Sequence, residues 1–309
     1  MNSPNIQSII WNRLTWINIE KPNSQHIEYL AQHYPFHKLE LDDCLSRVQM
    51  PKVDEHIDEG YIFMVFHFPV FNPQARVTTS SQVSIFQGED YLISLHDGSL
   101  KPLVKQFVDC EMNEDAKMEN MGRSSAYLLY LILDRLVTYG FPILFKIGEN
   151  IDTVEEKVFG TKAREAVRDI SMLRRDVIAY RRIIRPQTEA FEFLESTEWP
   201  LLKEDPDVYF GDLADHSRKI RDTLDEYKEV LEGLNDTNNT LASFHTNQVI
   251  RVLTIISTIM LPLTLIASIL GMNIYPMPVD EPLALAAVVV AMILLVAGML
   301  AFFRYKRWV

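Results

Sequence analysis

"NQVIRVLTIISTIMLPLTLIASILGMN", Asn247–Asn273, decides how the rest of the chain is read. From Val252 to Leu270 it carries no charge, and a second uncharged run extends from Leu283 to Phe303. A helix rises about 1.5 Å per residue, so about 20 apolar residues cross a hydrocarbon core about 30 Å thick. Each run has that length. Two in tandem predict a transmembrane hairpin rather than a pair of buried core helices. Its connector, Gly271–Pro282, has no basic residue, whereas Arg251 precedes the first run and Arg304, Lys306 and Arg307 follow the second. The positive-inside rule then puts both termini in the cytosol and the lipid bilayer around the hairpin.

The two runs differ. The second has no hydroxyl side chain, as expected of a helix facing lipid. The first carries Thr254, Ser257, Thr258, Thr264 and Ser268, with Asn247 just before it. Asn247, Thr254, Ser257, Leu261, Thr264 and Ser268 recur at steps of 3, 4 or 7 and share one helix face. A single Ser or Thr commonly bonds back to its own helix or to a neighbour. A stripe of them predicts a water-lined face. One hairpin cannot enclose a pore, so that reading requires an oligomer.

Upstream, Ile220, Leu224, Tyr227, Leu231, Leu234, Asn238, Leu241, His245 and Gln248 alternate by 4 and 3, a heptad seam that turns polar toward the apolar run. No proline interrupts Asp207 to Leu270 before Pro262, which predicts one helix about 96 Å long. Ser124–Phe159 and Lys162–Ser196 read as an antiparallel helix hairpin. Its run "RRDVIAYRRIIR" reads as a solvated face paired to nearby acids. Residues 1–120 read as a small α/β domain. "YIFMVFHFPVF" and "SQVSIFQGEDYLISLHD" have strand composition broken at Asn72-Pro73 and Gly88-Glu89-Asp90, and "NSQHIEYLAQHY" and "HKLELDDCLSR" read as short helices.

The net charge of −12 divides unevenly: +2 over residues 249–309 and −14 over residues 1–248. An acidic body attracts cations and argues against nucleic acid as a partner. Cys44 and Cys110 form no CxxC motif and no disulfide framework. "MNSPNIQSIIWNRLTW" lacks the pattern of a signal peptide. No GxGxxG, phosphate loop, HExxH or GxSxG is present, and the histidines of the N-terminal half lack ligand spacing, so we expect neither an enzyme nor a small organic substrate.

Gly271-Met272-Asn273 directly after a span, a second span and a short basic tail near a Trp resemble the CorA family of divalent-metal channels. The likeness covers nearly the whole chain: "VYFGDLADHSRKIRDTLDEYKEVLEGL" resembles the family's stalk, and "HKLELDDCLSRVQMPKVDEHIDEGYIFMVF" its N-terminal pattern. The resemblance implies an α/β cytosolic domain (1–120), a helix hairpin (121–206), a stalk helix running into a pore-lining span (207–271), an external loop (272–282), and a second span with a basic tail (283–309). It implies a homopentameric funnel in a prokaryotic inner membrane. Gly271, Met272 and Asn273 would form the selectivity filter, with five Asn273 amides meeting hydrated Mg²⁺. Asn247, Thr254, Ser257, Thr264 and Ser268 would line the pore, and Leu253 and Leu261 would be its hydrophobic constrictions. Asp280 and Glu281 would concentrate cations at the entrance, with Arg251, Arg304, Lys306 and Arg307 as a basic collar. Asp212, and more weakly Asp215, would hold regulatory Mg²⁺ between subunits, with a partner acid on the N-terminal domain that the sequence does not identify. The implied function is Mg²⁺ influx, with Co²⁺ or Ni²⁺ passage also open. The alternatives are a zinc transporter of the ZntB type and a membrane-anchored metal sensor or scaffold without conduction.

Overall fold

The computed structural model describes residues 6–46, 49–74, 77–160, 163–196, 206–272, 282–306 and 308. Asn273, Asp280, Glu281 and Arg307 lie outside them. By internal contacts the chain divides into two units, Met1–Asn235 and Asp236–Val309.

The first unit is built on a six-stranded sheet. Its strands are β1 (Gln7–Trp11), β2 (Leu14–Glu20), β3 (Lys52–His56), β4 (Tyr61–Asn72), β5 (Val77–Gly88) and β6 (Tyr91–His96), in the order β1-β2-β6-β5-β4-β3. Only β2 and β6 pair in parallel, with Thr15 opposite Tyr91 and Glu20 opposite His96. The strand period of two sends alternate residues to opposite faces. Ile17, Ile19, Tyr61, Phe63, Val65, Phe86, Ile93 and Leu95 form one core with Leu30 of α1 (Ser24–His33), with Leu41 of α2 (Lys38–Asp43) and with Phe36 from the segment between these helices.

The opposite face is covered by α3 (Lys101–Met112), α4 (Glu114–Met121), α5 (Ser125–Thr138), α6 (Gly140–Phe159) and α7 (Ala163–Ser196). There Trp16 meets Phe107 of α3 edge-on at 5.0 Å and donates through Nε1 to Ser94 at 3.1 Å. Phe66 stacks on Phe191 of α7 at 5.1 Å. β3 pairs with β4 only up to Val65, so later β4 residues lack a strand on that side. Gln187 of α7 replaces it, accepting from the His67 amide at 2.8 Å, and Asp176 accepts from the Thr78 amide at 2.5 Å. Pro69 stands in this unpaired stretch, where its missing N–H costs no ladder bond.

The expected hairpin is α6 against α7, with α5 a separate helix ending at Thr138. The basic run of α7 is paired as read: Arg181 and Arg185 reach Asp225 at 2.5 and 3.6 Å, and Arg174 reaches Glu232 at 3.7 Å. Asp225 and Glu232 belong to α8 (Pro206–Leu270), a single helix of 65 residues. Ile220, Leu224, Leu231 and Leu234 of its seam are buried, and Tyr227 sets its hydroxyl against Gly148 of α6, where a Cβ would collide with it.

The second unit holds the end of α8 and α9 (Pro282–Tyr305). Leu263 of α8 faces Val289, Met292, Val296 and Leu300 of α9 across an apolar groove, and Trp308 stacks on Phe303. Three helical stretches among the described residues are long and apolar enough to cross a membrane: Ser125–Phe159, Val208–Leu270 and Leu285–Tyr305. The first differs physically from the others. In its apolar window 44% is buried inside the protein, against 6% and 0% in the other two, so its apolar character serves the core of the first unit.

Candidate metal centre and pore face

Asp212 and His216 stand one turn apart on α8, so both side chains project from one face. Opposite them α5 presents Asp134. Its neighbours Leu129, Ile132, Leu133 and Leu136 are buried, and this packing fixes the helix that carries the carboxylate. His216 Nε2 lies 3.8 Å from Asp212 and His216 Nδ1 lies 4.0 Å from Asp134. One ligand atom from each of the three residues falls within 4.8 Å of the others. Phe141 meets the imidazole edge-on at 5.8 Å. The buried His216 Nδ1 closes no hydrogen bond among the described residues.

The electrostatics of the cluster are those of a site short of positive charge. Burial, then the neighbouring Asp212 charge, raises the Asp134 carboxyl above the ordinary carboxylate range. Burial and the charges of Asp134 and Asp212 push the Tyr130 phenol up to about 12. Tyr130 therefore remains a donor, to Asp212 at 3.4 Å. Two carboxylates and one imidazole are a donor set for a divalent ion; metal–ligand bonds of about 2.1 Å place donor atoms no more than about 4.2 Å apart, so atoms spread over up to 4.8 Å must draw together around it. Carboxylate oxygens suit Mg²⁺, and an imidazole nitrogen extends the set toward Co²⁺, Ni²⁺ or Zn²⁺.

Asp215 stands apart from this cluster. Its carboxylate pairs with Arg218, which also reaches Glu192 at 3.1 Å and Glu195 at 2.7 Å. The sequence reading named Asp212 and missed Asp134 and His216. The second had a visible signal, a histidine at i+4 from the named acid. The first, one acid in "LYLILDRL", reads as any charge on the polar side of an amphipathic helix.

In the second unit, Ser257, Leu261, Thr264 and Ser268 line one open groove with Met260 and Leu265, on the face that the spacing predicts. Thr254 donates to the Ile250 carbonyl and Thr264 to the Met260 carbonyl, each at 2.8 Å. Their protons are therefore taken within the helix, and their oxygens remain free to accept. Leu253 and Leu261 are 58% and 70% exposed, and Asn247 and Arg251 are also exposed. Pro262 lacks an amide, which leaves the Thr258 carbonyl without its usual helix donor. Gly271 and Met272 follow the end of α8, with the Gly271 amide closing on the Ala267 carbonyl at 2.9 Å. Arg304 stands in the last turn of α9, and Lys306 donates its amide to the Phe302 carbonyl at 3.0 Å.

A family model described as CorA-like Mg²⁺ transporter protein matches residues 11–307. The chain is 31% identical over 298 residues to the putative metal ion transporter YfjQ of Bacillus subtilis, covering 95% of this chain and 89% of that protein. It is 31% identical over 302 residues to the cobalt/magnesium transport protein CorA of Thermotoga maritima, covering 95% and 83%. The complete structure of the CorA magnesium transporter from Methanocaldococcus jannaschii matches with a TM-score of 0.83 at 22% identity, over 99% of this chain and 95% of that one, a likeness of fold. The chain belongs to the CorA-like Mg²⁺ transporter family.

Proposed function

We propose that this chain is one subunit of a homopentameric Mg²⁺ channel of a prokaryotic inner membrane, with both termini cytosolic, closed by intracellular divalent metal. The observation that carries the reading is the stripe from Ser257 to Ser268: acceptor oxygens on an exposed groove of a helix otherwise clothed in apolar side chains. A helix that merely anchors a domain has no use for it. Around a symmetry axis the stripe becomes rings of oxygens, separated by the Leu253 and Leu261 rings, which close by dewetting. Mg²⁺ parts with its water reluctantly, so neutral amide and hydroxyl oxygens suit it better than carboxylates, which bind too tightly to release it. Asn273 supplies the amide ring at the external mouth, with Asp280 and Glu281 concentrating cations in front of it. A divalent ion gains about 4.6 kcal/mol per 100 mV, so influx needs no other energy source.

Asp134, Asp212 and His216 hold the regulatory ion. When bound, the ion supplies the positive charge that the two carboxylates lack. The arrangement that holds the carboxylates together is therefore favoured at high internal metal and loosened at low metal, which is feedback by linkage. Asp215, held by Arg218, acts as an auxiliary ligand only if that pair opens. The imidazole of His216 favours one second reading, Zn²⁺ as the cargo or the regulator. Ion flux into proteoliposomes of the full chain tests both readings: Mg²⁺ uptake ahead of Zn²⁺ supports the first, the reverse order the second. No flux of either would make the chain a non-conducting metal sensor.

A further inference from the structure

On α9, Val289, Ile293, Val296 and Leu300 recur at steps of 4, 3 and 4 and so share one face, with Ala297 beside them. Together with Leu263 of α8 they line an open apolar groove of 500 Å³. Ile293, Ala297 and Leu300 are exposed. From Val289 to Leu300 the helix rises about 16 Å, roughly half of a hydrocarbon core about 30 Å thick. The groove is therefore as long as one leaflet is deep.

The charge at its end is one-sided. A further step of 4 from Leu300 brings Arg304 to the same side of the helix, one turn beyond the groove, and Lys306 follows. The tail folds back there: the Trp308 amide donates to the Phe303 carbonyl at 2.9 Å, and the indole stacks on the Phe303 ring at 5.9 Å. This holds Lys306 beside the helix end and sets an indole at the depth where Trp meets lipid headgroups. No acid stands in the sequence from Pro282 to Val309 or from Thr237 to Leu270, so neither α9 nor the adjoining part of α8 supplies a counter-charge.

A second copy of the chain fits the groove poorly. Copies related by an axis normal to the membrane carry Arg304 and Lys306 at one depth, so packing helix ends together sets like charge against like. An anionic lipid matches both parts of the surface, hydrocarbon for the groove and a phosphate for the two cations.

We propose that the groove holds an acyl chain of an anionic phospholipid of the cytosolic leaflet, whose phosphate is bound by Arg304 and Lys306. The proposal rests on α8 and α9 spanning the membrane with the tail in the cytosol, and not on which ion is conducted.

The test is native mass spectrometry of the delipidated full chain, titrated in detergent with phosphatidylglycerol or with phosphatidylcholine of identical acyl chains. We expect one phosphatidylglycerol per subunit, bound about thirtyfold more tightly than phosphatidylcholine, the effect of two basic groups near an anionic headgroup. Arg304→Gln combined with Lys306→Gln should bring this ratio close to one. Ala297→Phe fills the groove and keeps both charges, and it should weaken both lipids about tenfold; Ala297→Leu serves if that variant does not assemble. Equal retention of the two lipids by the wild type, or an unchanged ratio in the double variant, would overturn the proposal. Undiminished binding to the groove-filling variant would overturn it too, leaving the basic tail alone as the lipid contact. Release of the chain from membranes by alkaline carbonate would instead overturn the membrane reading beneath it.

Discussion

His216 Nδ1 on α8 lies 4.0 Å from the Asp134 carboxylate on α5, and no hydrogen bond reaches that buried nitrogen among the described residues. The pair joins two helices that are far apart in sequence through groups that an ion would hold more firmly than they hold each other. Replacing His216 by Ala should therefore weaken Co²⁺-dependent protection of the full chain from proteolysis by about tenfold in midpoint concentration. Mg²⁺-dependent protection should fall further in Asp212→Asn than in His216→Ala, because oxygen is the harder ligand. Equal midpoints for wild type and Asp212→Asn would remove the ion from this cluster.

The raised Asp134 carboxyl predicts how stability depends on pH. A carboxyl whose folded value lies above its unfolded one favours the fold in its protonated form. Its contribution is fully present below the ordinary carboxylate range and is lost as pH rises through the raised value. In its ionised form, without metal, Asp134 costs stability. Asp134→Asn should raise the metal-free Tm by about 2–4 °C for each kcal/mol recovered, with the gain vanishing below pH 4, and should abolish the further rise on adding Mg²⁺. A variant less stable than wild type without metal at pH 7 would show that the carboxylate is satisfied by protein groups alone.

What the sequence disclosed follows from where the physical signal is local. The seam Ile220, Leu224, Leu231 and Leu234 is buried on α8 as its spacing implies, because helical periodicity needs no knowledge of the partner. The strands β4 to β6 were equally plain, their β-branched and aromatic residues bounded by Asn72-Pro73 and Gly88-Glu89-Asp90. β3, "KVDEH", was not: an edge strand needs only one good face, and its charges discourage pairing with other chains. Asp134 was hidden for another reason. Its role depends on residues 78 and 82 positions later, which α5 and α8 bring together only through tertiary packing.

The groove at Ser257, Leu261, Thr264 and Ser268 predicts a pattern of chemical access. In the assembled complex, Ser257→Cys and Ser268→Cys should react with a charged, water-soluble thiol reagent, whereas Ile259→Cys and Ile266→Cys on the opposite side should not. Background labelling will be small, since Cys44 and Cys110 are buried and burial pushes their thiols up to about 12 and about 11. Labelling of the opposite side alone would place the hydroxyl stripe against protein or lipid.

The amide of Asn273 carries the last prediction. In the proposed pentamer five such amides would form a neutral ring that attracts the hydrated ion through carbonyl dipoles without stripping its water, so removing the carbonyl should act on flux rather than on assembly. Asn273→Ala is expected to abolish Mg²⁺ uptake into liposomes while native mass measurement still finds five chains. Asn273→Asp separates dipole from charge. A carboxylate ring retains the ion longer, so uptake should saturate at lower Mg²⁺ with a reduced maximal rate. Wild-type uptake by Asn273→Ala in an intact pentamer would move ion selection away from the external loop, to the hydroxyl stripe of α8.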